Sequence, residues 1–234
     1  MIVGVLVPAA VLGLLVLVAV LFVQRGRDGL DLSARSLLRV YLYVASLAGV
    51  VAFAIGVASV ANFALARTVG DELIYGGPVP AARPVPRCPP GATGCVEPSP
   101  QQLAEEERRQ RAELERRRNE DLLRGITFTV FGLLFWGAHW VARRALEGAE
   151  GRASPLRRAY LMLGTAVFGL AALVLVPTGV YQALANRLLV SPELSFRQGA
   201  DALGGAVATL PIWLLYLWLA LREIRRSDAG AVPA

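Results

Sequence analysis

The sequence contains no lysine, one histidine and two cysteines in 234 residues. With His139 as the only imidazole, a b-type haem held by two histidines has no second ligand. No paired acids, glycine-rich phosphate loop or nucleophile with an adjacent base stands out, so no catalytic, cofactor or metal site is expected and an enzyme is the least favoured class. The net charge of +6 is carried by arginine alone. Those arginines flank apolar stretches and do not gather into a basic patch with interleaved aromatics, so no nucleic-acid partner is expected. The interiors of the apolar stretches lack charge. Proton relays and ion pathways need ionisable side chains within hydrocarbon, and these interiors offer instead uncharged polar groups such as Thr127, Thr129, Thr165, Thr178, Gln182, Thr209 and a few serines. This argues against an ion-coupled pump and leaves open the passage of an apolar or lipid-like molecule.

What the chain does have is apolar length. Hydrophobic residues make up 55% of it and the mean hydropathy is +0.51, well above an ordinary soluble domain. Five runs are long enough to cross the hydrocarbon core as helices: residues 2–23, 37–66, 126–142, 160–185 and 203–221. The expected fold is an all-α integral membrane protein with five transmembrane helices, in contact with membrane lipids along its spans. Residues 1–24 read as a retained N-terminal anchor and not as a signal peptide. Arg25 and Arg27 follow the run instead of preceding it, and no small-residue cleavage site is present.

Arginine placement sets the expected orientation. Arg25, Arg27 and Arg35 lie between the first two runs with Arg39 at the entry of the second, and Arg143, Arg144, Arg152, Arg157 and Arg158 lie between the third and fourth. Arg222, Arg225 and Arg226 follow the fifth. All three segments fall on one side, which the positive-inside rule makes cytoplasmic, so the N-terminus is expected outside and the C-terminus inside a bacterial plasma membrane. Tyr41, Tyr43, Trp136, Trp140, Trp213, Tyr216 and Trp218 lie toward the same side, where aromatic rings prefer the headgroup level. His139, between two tryptophans, reads as interfacial too.

The second and fourth runs open alike. Ser36-Leu37-Leu38-Arg39-Val40-Tyr41-Leu42 lies over Pro155-Leu156-Arg157-Arg158-Ala159-Tyr160-Leu161, while Trp136 falls over Trp213 and His139 over Tyr216. The expectation is a duplicated helical hairpin of parallel orientation, pairing 37–66 with 125–145 and both with 156–226, behind the anchor. The Leu-Arg-x-Tyr-Leu-Tyr opening at Leu38 to Tyr43 and the Trp-x-x-His-Trp ending at Trp136 to Trp140 resemble a bacterial family of multi-span membrane proteins catalogued as a domain of unknown function. The resemblance covers the last four runs. It implies the architecture and no particular activity. The chain departs from that pattern at Tyr216, which stands where a histidine is expected, and in the long insertion between the second and third runs.

That insertion, residues 67–124, is expected to be extracytoplasmic. Its first part, from Val69 to Pro100, is so rich in proline and glycine that neither helix nor central strand is expected. Cys88 and Cys95 sit there across a turn-forming stretch, spaced for a small disulfide ring in an oxidising compartment and for free thiols in a reducing one. From Gln101 to Arg124 the composition turns to Glu, Gln, Arg, Ala and Leu, with Ser99 placed to cap a helix. Opposite charges recur four apart at Glu105/Arg109, Glu107/Arg111 and Glu113/Arg117. A projecting helix of about 36 Å follows from 1.5 Å per residue, either a docking arm for another subunit or a charged spacer.

Ala45, Ala48, Gly49, Ala52 and Gly56 lie three and four apart on the second run, a small-residue face expected to pack closely against a neighbour. That neighbour is another helix of this chain, a further membrane subunit or a second copy. Pro177 and Pro211 interrupt the fourth and fifth runs and either line a cavity or adjust helix fit. Two functions remain: a non-catalytic subunit or scaffold of a membrane complex, and a small transporter or lipid-binding protein.

Overall fold

The computed structural model describes residues 34–77, 99–146, 155–188 and 197–229. The first apolar run and the Cys88/Cys95 pair lie outside the described residues. The described elements are α1 (Ala34–Val69), α2 (Asp71–Tyr75), β1 (Gly76–Gly77), α3 (Pro100–Leu146), α4 (Pro155–Leu188), β2 (Arg197–Gln198) and α5 (Ala202–Ala229). Among them α1, α3, α4 and α5 are long and apolar enough to cross a membrane. Helix is the form such runs must take, because hydrocarbon offers no partner to a backbone N–H or C=O. Four of the five expected spans are therefore accounted for, and the fold is all-helical apart from one two-residue antiparallel pair.

In space the long helices follow the order α3, α1, α5, α4, with α1 and α5 forming the middle contact. Buried apolar side chains from α1, α4 and α5 form the core, with Ala54, Ala58, Phe168, Ala171 and Leu175 among those with essentially no exposure. α1 stops at Gly70, whose φ of 115° suits glycine alone and whose N–H still reaches the Ala66 carbonyl at 2.9 Å. Beyond it the expectation of no helix from Val69 onward is corrected. Asp71–Tyr75 carries neither proline nor glycine and forms one short helix, anchored by the fully buried Ile74. Gly76 then pairs with Gln198 and Gly77 with Arg197, and the Ala200 N–H donates to the Leu73 carbonyl at 3.0 Å. This ties together the two connections at one end of the molecule.

α3 differs most from expectation. The charged segment and the third apolar run form one uninterrupted helix of 47 residues, about 70 Å long at 1.5 Å per residue. Its start is a reciprocal cap: the Gln102 N–H donates to Ser99 Oγ at 3.3 Å while the Ser99 N–H donates to Gln102 Oε1 at 2.8 Å. Arg117 meets Glu113 at 2.6 Å and Arg109 meets Glu105 at 4.0 Å. Glu107 and Arg111 do not come within ion-pair distance, and Arg116 with Glu120 at 3.0 Å provides a further pair instead. All of these are exposed, so each contributes only a few tenths of a kcal/mol and serves helix formation more than stability.

Glycine sets the distance between α1 and α3. Gly49 faces the Trp136 backbone, Phe53 faces Gly132, Gly56 faces Thr129 and Val60 faces Gly125. A β-carbon at Gly49 would lie 2.8 Å from the Trp136 nitrogen, and one at Gly125 would lie 2.7 Å from Val60 Cγ2. Such an approach gives the two backbones van der Waals contact over about three turns, the main attraction available between helices in lipid. Of the small face on α1, Gly49 and Gly56 make this contact, the Ala52 backbone touches the Gly132 position, Ala45 is buried and Ala48 points outward. For Gly49 and Gly56 the neighbour is thus a helix of this chain.

Candidate functional site

At the arginine-rich end, where α1 and α4 begin and α3 and α5 finish, the helices leave a partly open cavity of about 640 Å³. All four contribute to it, among them Tyr43, Trp136, Arg143, Tyr160 and Tyr216. The volume is that of a small-molecule site. Tyr43, Tyr160 and Tyr216 are each buried. The Tyr160 and Tyr216 hydroxyls are 2.6 Å apart, and Tyr160 is also 3.3 Å from Ser46 Oγ. Arg143, in the last turn of α3, lays its guanidinium over the Tyr43 ring at 4.6 Å and the Tyr160 ring at 4.9 Å. Such stacking is attractive and holds the cation in place. Its Nε is buried without a hydrogen-bond partner. Arg144 sits over Trp140 at 3.8 Å, and Arg157 meets Glu223 at 3.4 Å. Tyr216→Phe removes one hydroxyl from the buried chain and is expected to cost about 1 kcal/mol, measured as an earlier midpoint in unfolding by sodium dodecyl sulfate.

The opposite end carries a second polar cluster. Arg118 of α3 pairs with Asp71 of α2 at 2.8 Å, both about four-fifths buried, so the base of the charged segment is braced against the bundle. Below them, still ahead of the apolar stretch of α3, burial pushes the Asp121 carboxyl above its ordinary value, against the lowering by Tyr75 and Arg124. Burial, with the Asp121 charge beside it, raises the Tyr75 hydroxyl above its ordinary value. A carboxyl raised on folding gives stability that is present at low pH and lost as the pH rises through its folded value. Asp121→Asn is therefore expected to flatten that decline and raise the melting temperature at neutral pH, read by thermal unfolding across a pH series.

The side chains singled out from sequence fall into different places. Tyr41 is exposed and its hydroxyl lies 3.5 Å from His139 Nε2, while His139 Nδ1 contacts its own helix at the Phe135 carbonyl, 2.7 Å away. Trp140 is exposed at the cavity rim; Trp136 lines the cavity and packs on Gly49. Trp213 packs inside the bundle, its Nε1 2.8 Å from where Gly169 would carry a β-carbon. Arg143, Tyr43 and Tyr160 were not singled out as a site. The signal lay in the register of Tyr43, Tyr160 and Tyr216 at one membrane depth with an arginine beside them.

The helices and this cavity define a multi-span, all-helical membrane protein with a small-molecule-sized opening at one end. Residues 101–211, just under half of the chain, match the model of a family described as a domain of unknown function (DUF5671). The match takes in the charged segment, the third and fourth apolar runs and the Trp136 to Trp140 motif, and it begins after Leu38 to Tyr43. No curated protein and no solved structure matches the chain.

Proposed function

We propose that this is a non-catalytic integral membrane protein acting as a subunit or scaffold of a membrane complex. Its N-terminus lies outside and its C-terminus in the cytoplasm of a bacterium. The observation that carries the reading is the continuity of α3 from the charged segment into the membrane. The segment is braced at its base by Arg118 and Asp71, and glycine contacts hold its lower half to α1. A partner gripping the turns between Pro100 and Arg117 would hold the whole bundle rigidly, which a flexible spacer does not allow. Arginines in the short connections and at the span ends support the orientation, the long 67–124 insertion being exempt from the rule by its length.

The hairpins α1/α3 and α4/α5 read as two copies of one unit. The sequence overlay sets Tyr41 against Tyr160 and His139 against Tyr216. The rings of Tyr41 and His139 lie 5.7 Å apart, as do those of Tyr160 and Tyr216. Each unit also sets a tryptophan against a glycine of its first helix, Trp136 on Gly49 and Trp213 on Gly169. The cavity favours a second reading for the same architecture, a lipid-binding protein.

The scaffold reading is tested by the mass of the protein extracted from its own membranes in mild detergent. A stoichiometric complex is expected for the full chain, dissolving when residues 101–115 are replaced by a glycine-serine linker while the bundle keeps its helix content. A monomer in the full chain contradicts it.

A further inference from the structure

We infer that the cavity at the arginine-rich end holds the phosphate of an anionic phospholipid headgroup, with Arg143 as its principal ligand. The inference rests on the lipid-binding reading of the cavity and adds the chemistry of what it binds.

Charge is the first ground. The lining holds Arg143, Arg144 and Arg157 and no carboxylate. Glu223 pairs with Arg157, which leaves two cations without an acidic partner among the described residues. A partly buried cation without a counter-ion is costly, and an arriving anion removes that cost.

Arg143 is also prepared for a ligand. Tyr43 and Tyr160 cover the guanidinium, and Nε is buried with nothing to donate to. A guanidinium held over aromatic rings still has its donors in its own plane, where they fit the oxygens of a phosphate in a forked geometry. The hydroxyl chain adds a donor. Ser46, Tyr160 and Tyr216 carry three protons and share two contacts. Polarised outward from Ser46, the chain leaves the Tyr216 proton to donate within the cavity.

The remaining walls are apolar: Trp136, Leu161, Leu215 and Leu219. A free phosphate would leave them unused, whereas the glycerol and upper acyl carbons of a lipid cover them. Depth agrees with this choice, because arginines at span ends and neighbouring tryptophans mark the headgroup level.

The test uses the full chain in maltoside micelles with equimolar phosphatidylglycerol and phosphatidylcholine, and counts retained lipids by native mass spectrometry. Wild type is expected to retain phosphatidylglycerol preferentially, and added inorganic phosphate is expected not to displace it. Arg143→Gln should lower the preference about tenfold, the value of losing a charge-assisted phosphate contact. Arg144→Gln, at an exposed position, should lower it less; Arg225→Gln, exposed at the same end and outside the cavity, should leave it unchanged. If Arg143→Gln fails to fold, the contrast between Arg144→Gln and Arg225→Gln decides. An equal loss from Arg225→Gln, or displacement by inorganic phosphate, overturns the assignment. Equal retention of both lipids leaves lipid binding standing and sinks the assignment to an anionic headgroup, while retention of neither sinks both.

Discussion

Gly132→Leu is expected to destabilise the protein by about 3 kcal/mol, the upper end of the usual cost of overpacking. Any β-carbon at position 132 meets the Phe53 backbone, which has no rotamer to yield with. Relief requires α1 and α3 to separate along their shared length, which also pulls apart the approaches at Gly49, Gly56 and Gly125. Gly137→Leu is the control. It lies on the same helix with nothing within 4 Å of its would-be β-carbon, and its effect should be near zero. Unfolding by sodium dodecyl sulfate, followed by circular dichroism, separates the two. Equal sensitivity at 132 and 137 would show that backbone approach does not govern the effect.

Asn62→Leu is the second large effect, at about 2 kcal/mol. Asn62 is buried in α1, and its Oδ1 accepts the N–H of Gly204 at 3.1 Å. Gly204 is the third residue of α5, so the donor is one of those that a helix start leaves without an internal partner. An asparagine of one span thus serves as the cap of another. Leucine keeps the branched shape and leaves the N–H buried and unmet. Asn62→Asp retains an acceptor and adds a negative charge at a helix N-terminus, so it should recover most of the loss. The same denaturation series reads both, and hydrogen exchange should quicken at the start of α5 in the leucine variant alone.

The long helices were legible because hydrocarbon length and charge-free composition leave few other forms to the chain. The joint within α3 was not. Around Arg124 the sequence changes from charged to apolar, which reads as a boundary, yet no proline interrupts the stretch from Glu115 to Ala142 and one helical backbone runs through it. The α1 side of the glycine contact was legible from the spacing of Gly49 and Gly56. Its α3 side was not, since Gly125 and Gly132 stand among bulky residues and form no small-residue stripe. Ala48 shows the limit of such stripes, for it fits the spacing and faces outward. Arg143 was read as an orientation marker, which any arginine at a span end satisfies. Its role in the cavity depends on Tyr43 and Tyr160, which lie on two other helices.

The central claim is that the charged segment and the third span are one rigid member. It is tested most directly by electron–electron resonance between spin labels at Arg108 and Ala138, both exposed on α3, with Cys88 and Cys95 replaced by serine. About thirty residues of continuous helix separate the labels by about 45 Å. A single narrow distance distribution near that value is the predicted result. A broad distribution centred well below it would mean a hinge between arm and span and would contradict the account.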